Sequence, residues 1–176
     1  YATIQDAIDN ASGGDIIIVR PGTYKENLDF LGKSITLKSD EGARVTFIDG
    51  GSPLNPDNGS VVRFVNGEGP NSVLDGFTLT NGTGTADGWR YGGGILCKGG
   101  VDPTIRNNII IRNYTDNGGG ICLRGGSSPL IENNVISVNI ANHKGGGILG
   151  KSGVAALIEG NRITGNSAGY DGGGII

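Results

Sequence analysis

Apolar residues fall along the chain in short runs broken by Gly, Asn, Ser and Pro, and one arrangement keeps returning. "GGGILCKGG" starts at Gly92, "GGGICLRGG" at Gly118, "GGGILGKSG" at Gly145 and "GGGII" at Gly172, giving intervals of 26, 27 and 27 residues. The intervening segments align as "PTIRNNIII" from Pro103, "PLIENNVIS" from Pro129 and "ALIEGNRIT" from Ala156, with a degenerate copy, "SVLDGFTLT", from Ser72. Each unit holds several short β-rich stretches and no helical period. A repeat of that length without a helix is one turn of a parallel β-solenoid.

The alignment predicts columns of stacked side chains. Phe64, Ile95, Ile121, Ile148 and Ile175 form one, Leu74, Ile105, Ile131 and Ile158 a second, and Leu79, Ile110, Ile136 and Ile163 a third. All are large and apolar, so they point inward at the ~4.8 Å strand spacing. Phe77, Asn108, Asn134 and Asn161 form a fourth column, where Asn suits a tight turn and stacked amides bond along the axis. The glycine runs mark a bend in which a Cβ would clash. The expected class is all-β, a right-handed parallel β-helix of roughly six coils, with handedness set by the crossover rule for parallel strands.

The beginning of the chain departs from this pattern. In "ATIQDAIDNASGG", Thr3 is a plausible N-cap, Ile4, Ala7, Ile8 and Ala11 share one helical face, and Ser12-Gly13-Gly14 stops the helix. A short amphipathic helix there would cover the open end of the core. The expected organisation is one domain over 1–176: a capping helix within 1–14, irregular first coils over 15–71 and regular repeats over 72–176. The last repeat stops after "GGGII", which leaves an open β-edge. The absence of Met and that open edge point to a piece of a longer exported chain, or to self-association at the edge.

Composition narrows the partners. Fourteen Lys and Arg against 17 Asp and Glu leave a net charge of -3, with no basic cluster of the kind nucleic acid requires. No apolar run reaches the ~18 residues of a membrane span. Cys97 and Cys122 fall on opposite faces of adjacent strands, so their Cβ vectors diverge and no disulfide is expected. "NGS" at Asn58, "NGT" at Asn81 and "NYT" at Asn113 have the form of N-glycan acceptors, a form that Asn- and Gly-rich turns also produce by chance.

"TIQDAIDNASGGDIIIVRPGTYKENL" resembles the opening of right-handed parallel β-helix proteins of the pectin lyase-like superfamily. "PTIRNNIIIRN" and "PLIENNVISVN", each followed by "GGGI", resemble the parallel β-helix repeats of secreted or surface proteins. The resemblance spans nearly the whole chain and implies the fold. It leaves function open, because the superfamily includes lyases, hydrolases, esterases, epimerases, adhesins and tailspikes. The chain has no aspartate cluster of the polygalacturonase type, no Asp/Arg/Gln set of the pectin methylesterase type and no acidic calcium cluster of the pectate lyase type. Neither a metal nor a cofactor is expected.

The segments before each glycine run vary most, and stacking brings them to one edge. That edge collects Trp89, Arg90, Tyr91, Tyr114, Asp116, His143, Lys144, Tyr170 and Asp171. Trp89, Tyr91, Tyr114 and Tyr170 are candidates for stacking on sugars. Arg90, Tyr91, Asp116, His143 and Tyr170 are the candidates for acid–base chemistry, provided that they converge. A second column of Lys98, Arg124 and Lys151 sets like charges side by side, a repulsion that an acidic glycan would offset. Alternation turns Leu96, Cys122, Leu149 and Ile176 away from the core, an apolar stripe that calls for a cover. The expected function is a secreted or cell-surface module with a structural, assembly-forming or glycan-binding role. The alternative is a polysaccharide-active enzyme, a lyase or epimerase before a hydrolase or esterase.

Overall fold

The computed structural model describes all 176 residues. One helix precedes an otherwise β chain whose strands gather in four sheets, two of which run the length of the molecule. Sheet one stacks Ile16–Val19, Thr36–Ser39, Val73–Asp75, Thr104–Arg106, Leu130–Glu132 and Leu157–Glu159. Sheet two stacks Gly22–Tyr24, Thr46–Asp49, Thr78–Thr80, Ile109–Ile111, Val135–Ser137 and Arg162–Thr164. Sheet three follows from the second coil onward, starting at Asn58–Gly59, and sheet four, from Leu28–Asp29 to Ile148–Lys151, closes the coil. With six strands in sheet one, the chain makes five full turns between its first and last strands.

Pairing along the axis in sheets one, two and four is parallel and in register. Leu74, Ile105, Ile131 and Ile158 align as expected, and the column extends back through Leu37 to Ile17. Leu79, Ile110, Ile136 and Ile163 do the same, extending through Ile48 to Tyr24. The sheet-four column is corrected by two residues: Val62, not Phe64, lies opposite Ile95, and Phe64 lies opposite Cys97. The early coil enters this sheet through Gly59-Ser60-Val61 rather than through three glycines, so the glycine anchor used for alignment is missing. A slip of two keeps side chains on the same face, and both Val62 and Phe64 are fully buried.

Two of the corners share one construction. Between sheets one and two a left-handed residue (Gly76, Asn107, Asn133 or Gly160) precedes the column Phe77, Asn108, Asn134 and Asn161. Asn134 Nδ2 donates to Asn161 Oδ1 at 2.9 Å and to the Ile105 carbonyl at 2.9 Å, while its own Oδ1 accepts from the Asn108 backbone at 2.9 Å. Between sheets two and three, Asn81, Arg112, Val138 and Gly165 are left-handed and are followed by Gly82 and a second ladder of Asn113, Asn139 and Asn166. This second ladder was not anticipated, although the Asn in "IRN", "SVN" and "TGN" recurs at the repeat interval. Each ladder satisfies buried backbone donors at a bend too tight for strand pairing.

The three-glycine corner joins sheet three to sheet four. Gly92, Gly118, Gly145 and Gly172 lie at φ between 62° and 69°. A Cβ on Gly118 or Gly145 would sit 2.6 Å from the Cβ of Cys122 or Leu149. A Cβ on Gly94 or Gly120 would collide with the glycine carbonyl of the next coil. The first glycine thus serves the backbone conformation and the third serves the stacking distance.

At the start of the solenoid the helix Ile4–Asn10 buries Ile4, Ala7 and Ile8 against the first coil. Thr3 caps it, its hydroxyl accepting from the Asp6 backbone at 3.0 Å. Two side chains of the coil tie it down. The Glu26 carboxylate accepts from the backbone of Ile4 and Gln5, both at 2.9 Å, and Lys33 Nζ donates to the carbonyls of Ile8, Asp9 and Ala11. An anion at the N-terminus and a cation at the C-terminus both complement the helix dipole.

Candidate functional site

The expected turn edge is a sheet. Tyr114–Asn117, Ile140–Lys144 and Ser167–Ala168 pair in parallel as part of sheet three. Residues Gly84–Asp87 and Trp89–Tyr91 form an antiparallel hairpin closing at Asp87-Gly88, which also pairs with Asn58–Gly59. An Asp-Gly tip supplies the positive φ that such a turn needs, and Gly88 has φ of 77°.

The hairpin reaches the cation column. Lys98, Arg124 and Lys151 are register partners, as expected. Asp87 Oδ2 lies 2.8 Å from Lys98 Nζ and 2.8 Å from Arg124 Nη1. The hydrogen bond and charge of Lys98 hold the Asp87 carboxyl below its ordinary value, with the Arg124 charge adding to the effect. The repulsion assigned to an external acidic ligand is therefore offset within the chain for two of the three cations, and Lys151 stands exposed without an ion pair.

The outward apolar stripe is covered by its own coils. Leu96, Cys122 and Leu149 are buried in a second small core with Tyr91, and Val65 packs against it. Tyr91 is only 5% exposed, and the Arg124 guanidinium lies 4.1 Å from its ring centroid. The ring is thus almost closed to solvent, with one face under Arg124, and only its margin reaches the cleft beside Trp89. Ile176 remains half-exposed. Cys97 lies in the main core and Cys122 in the second one, both as free thiols. Burial pushes the Cys122 thiol up to about 12 and also raises the Cys97 thiol well above its ordinary value.

The acid–base candidates divide into separate settings. Asp116 accepts from the Arg90 backbone at 3.0 Å and from Asn142 Nδ2 at 3.1 Å, so its carboxylate serves pairing between coils. The Arg90 side chain turns back to the carbonyls of Pro56 and Gly84. His143 lies between aromatic rings: Trp89 is 4.5 Å away edge-on and Tyr170 is 5.3 Å away and stacked. The Tyr170 backbone N–H donates to the His143 carbonyl at 2.9 Å, but no side-chain hydrogen bond joins the His143 imidazole to Asp116, Arg90, Tyr91 or Tyr170. The side chains of these candidates thus serve separate structural contacts and form no mutually bonded acid–base pair.

What does converge is an aromatic run. Trp89, His143 and Tyr170 follow one another along the axis, the first pair edge-on and the second stacked, with Trp89 54% and Tyr170 74% exposed. Beside them opens a cleft of about 420 Å³, lined by Trp89, Asn117, His143, Lys144 and Lys151 among others. Lys144 is paired with Asp171 at 2.8 Å. Tyr114 belongs elsewhere: its hydroxyl donates to Asn142 at 2.8 Å, and its ring lines a different cleft with Lys25, Asp49, Asn81 and Arg112. Composition alone could not separate these two sides of sheet three, since neighbouring residues of one strand point to opposite faces.

No helix is long and apolar enough to cross a membrane. A cell surface glycoprotein of Methanothermus fervidus is 34% identical over 106 residues, which cover 53% of this chain and 18% of that protein. The chain thus spans about a fifth of the length of that relative. No solved structure matches the chain. The family model described as a right-handed beta helix region matches residues 59–176, two-thirds of a chain whose strands wind as that description requires, and the chain belongs to the right-handed β-helix family.

Proposed function

We propose that this β-helix is a non-catalytic, glycan-binding module of a cell-surface or secreted protein. The cell-surface relative fits such a location. The observation that carries the binding role is the exposed aromatic run Trp89–His143–Tyr170 beside a cleft edged by Lys151. Exposed rings held along a rigid solenoid offer apolar faces for the C–H face of a pyranose, and Asn117, Lys144 and Lys151 supply hydrogen bonds around it. The scattering of Arg90, Tyr91, Asp116 and His143 into structural contacts weighs against the enzyme reading. The Asp87 clamp removes Lys98 and Arg124 from the expected contact set and leaves Lys151 as the free cation.

A glycan array followed by calorimetric titration of the best ligand tests the reading. Trp89→Ala and Tyr170→Ala should each weaken binding at least tenfold, and Lys151→Ala should weaken only acidic glycans, more so at low salt. Tyr114→Ala, on the other side of the sheet, should leave affinity unchanged. Absence of binding across the array, or loss on Tyr114→Ala with none on Trp89→Ala, would overturn the assignment.

A further inference from the structure

The three Asn-X-Ser/Thr triplets sit in very different surroundings. Asn113 is 1% exposed within the second ladder, where Nδ2 donates to Asn139 Oδ1 at 3.0 Å and to the Leu79 carbonyl at 3.1 Å. A sugar on that nitrogen has no space, and the coil cannot close around it. Asn58 is half-buried, and the hydroxyl of its partner Ser60 is fully buried, 2.8 Å from Thr85 Oγ1 and 3.2 Å from the Tyr91 carbonyl it donates to. Asn81 differs from both. It is exposed, at φ of 61° on the corner between sheets two and three, and Thr83 lines the same open cleft with no hydrogen bond from its hydroxyl.

We propose that Asn81 is an N-glycosylation site, the preferred one of the three, and that its first sugar lies in the adjoining cleft. The reaction is transfer from a lipid-phosphate-linked oligosaccharide. Asn81 Nδ2 bonds to the anomeric carbon, the bond from that carbon to the phosphate oxygen breaks, the lipid phosphate leaves with the electron pair, and one amide proton passes to the transferase. The second amide proton stays. Asn81 Nδ2 now donates to Asp49 Oδ1 at 3.0 Å, and the remaining N–H keeps that contact after modification. Asp49 is thereby a positioning residue that turns the sugar towards a cleft of about 490 Å³. The lining is polar apart from Tyr114, and neither Lys25 nor Arg112 has a carboxylate partner, so their donors are free for sugar hydroxyls.

This site is independent of the aromatic run, which lies on the other side of sheet three. The test is secretion of the chain from a host that N-glycosylates, with glycopeptide mass spectrometry of the folded fraction and a known glycoprotein as host control. Asn81 should be the most occupied site, Asn58 less occupied and Asn113 empty. Asn81→Gln and Thr83→Val should each abolish the Asn81 glycan, and Thr83→Ser should retain it. An unmodified Asn81 alongside a glycosylated control, equal or higher occupancy at Asn58, or a glycan on Asn113 in folded protein overturns the proposal.

Discussion

Val138 holds a left-handed backbone at φ of 56°, a conformation in which a β-branched side chain crowds its own carbonyl. Its counterparts at the same corner are Asn81, Arg112 and Gly165, and the neighbouring corner uses Gly76, Asn107, Asn133 and Gly160. Asn tolerates this conformation because a short polar side chain bonds locally. Val138 is 48% exposed, so exchanging it disturbs no core contact. Val138→Asn should relieve about 1 kcal/mol of strain. In a chain of this size that is a rise of roughly 2–4 °C in Tm, measurable by thermal melting. An unchanged or lower Tm would mean that the apolar side chain contributes more than its backbone costs. The Asn ladders were half legible at this scale. Asn108, Asn134 and Asn161 stood out beside large apolar columns, whereas Asn113 read first as part of an acceptor triplet and lies buried in the second ladder.

Among elements, the hairpin Gly84–Asp87 and Trp89–Tyr91 governs the outer face of sheet four. Repeat spacing revealed the strands and the glycine corner, because both recur in every coil. The hairpin occurs once, so periodicity is silent about it. Alternation correctly turned Leu96, Cys122 and Leu149 away from the main core, but it says nothing of what lies beyond a strand, and Tyr91 proved to be part of the cover. Like charges at Lys98 and Arg124 were legible as a cost, whereas their counter-ion, Asp87, comes from a non-repeating loop. The Asp87 carboxyl titrates below its ordinary 3.8 in the folded chain, so its stabilising contribution is present above that value and is lost as pH falls through the folded value. The hairpin amides should therefore exchange faster with deuterium on acidification below pH 3.8, after correction for intrinsic rates. Asp87→Asn should show the faster exchange already at neutral pH and no further change across that window. Equal protection in both proteins would mean that pairing with Asn58–Gly59 alone holds the hairpin.

Over the whole molecule, each coil contacts only its neighbours, so the two ends of the stack carry the unpaired edges. The helix Ile4–Asn10 covers the first coil, yet seven residues are far too few to stay helical unaided. Its persistence depends on docking, and docking depends on a few contacts: Ile4 and Ile8 in the core, Glu26 at one end and Lys33 at the other. The apolar face and the Thr3 cap were legible in sequence. The Glu26 and Lys33 anchors were not, since they lie more than twenty residues away and carry no periodic signature. Lys33→Met keeps the length and apolar stem but removes three donors to the helix carbonyls, a loss of about 2 kcal/mol. That loss falls on the docked state alone, so the helix should spend more time detached, baring Leu28, Phe30 and the parallel edge of Ile16–Val19. An exposed core end beside an unpaired edge is a template for a second chain. Lys33→Met should therefore show a higher light-scattering mass than the parent chain at equal concentration, growing with concentration, together with greater dye binding to apolar surface. A variant of unchanged mass and unchanged dye binding would show that Ile4, Ile8 and Glu26 suffice to hold the cap, and that the Lys33 contacts are dispensable.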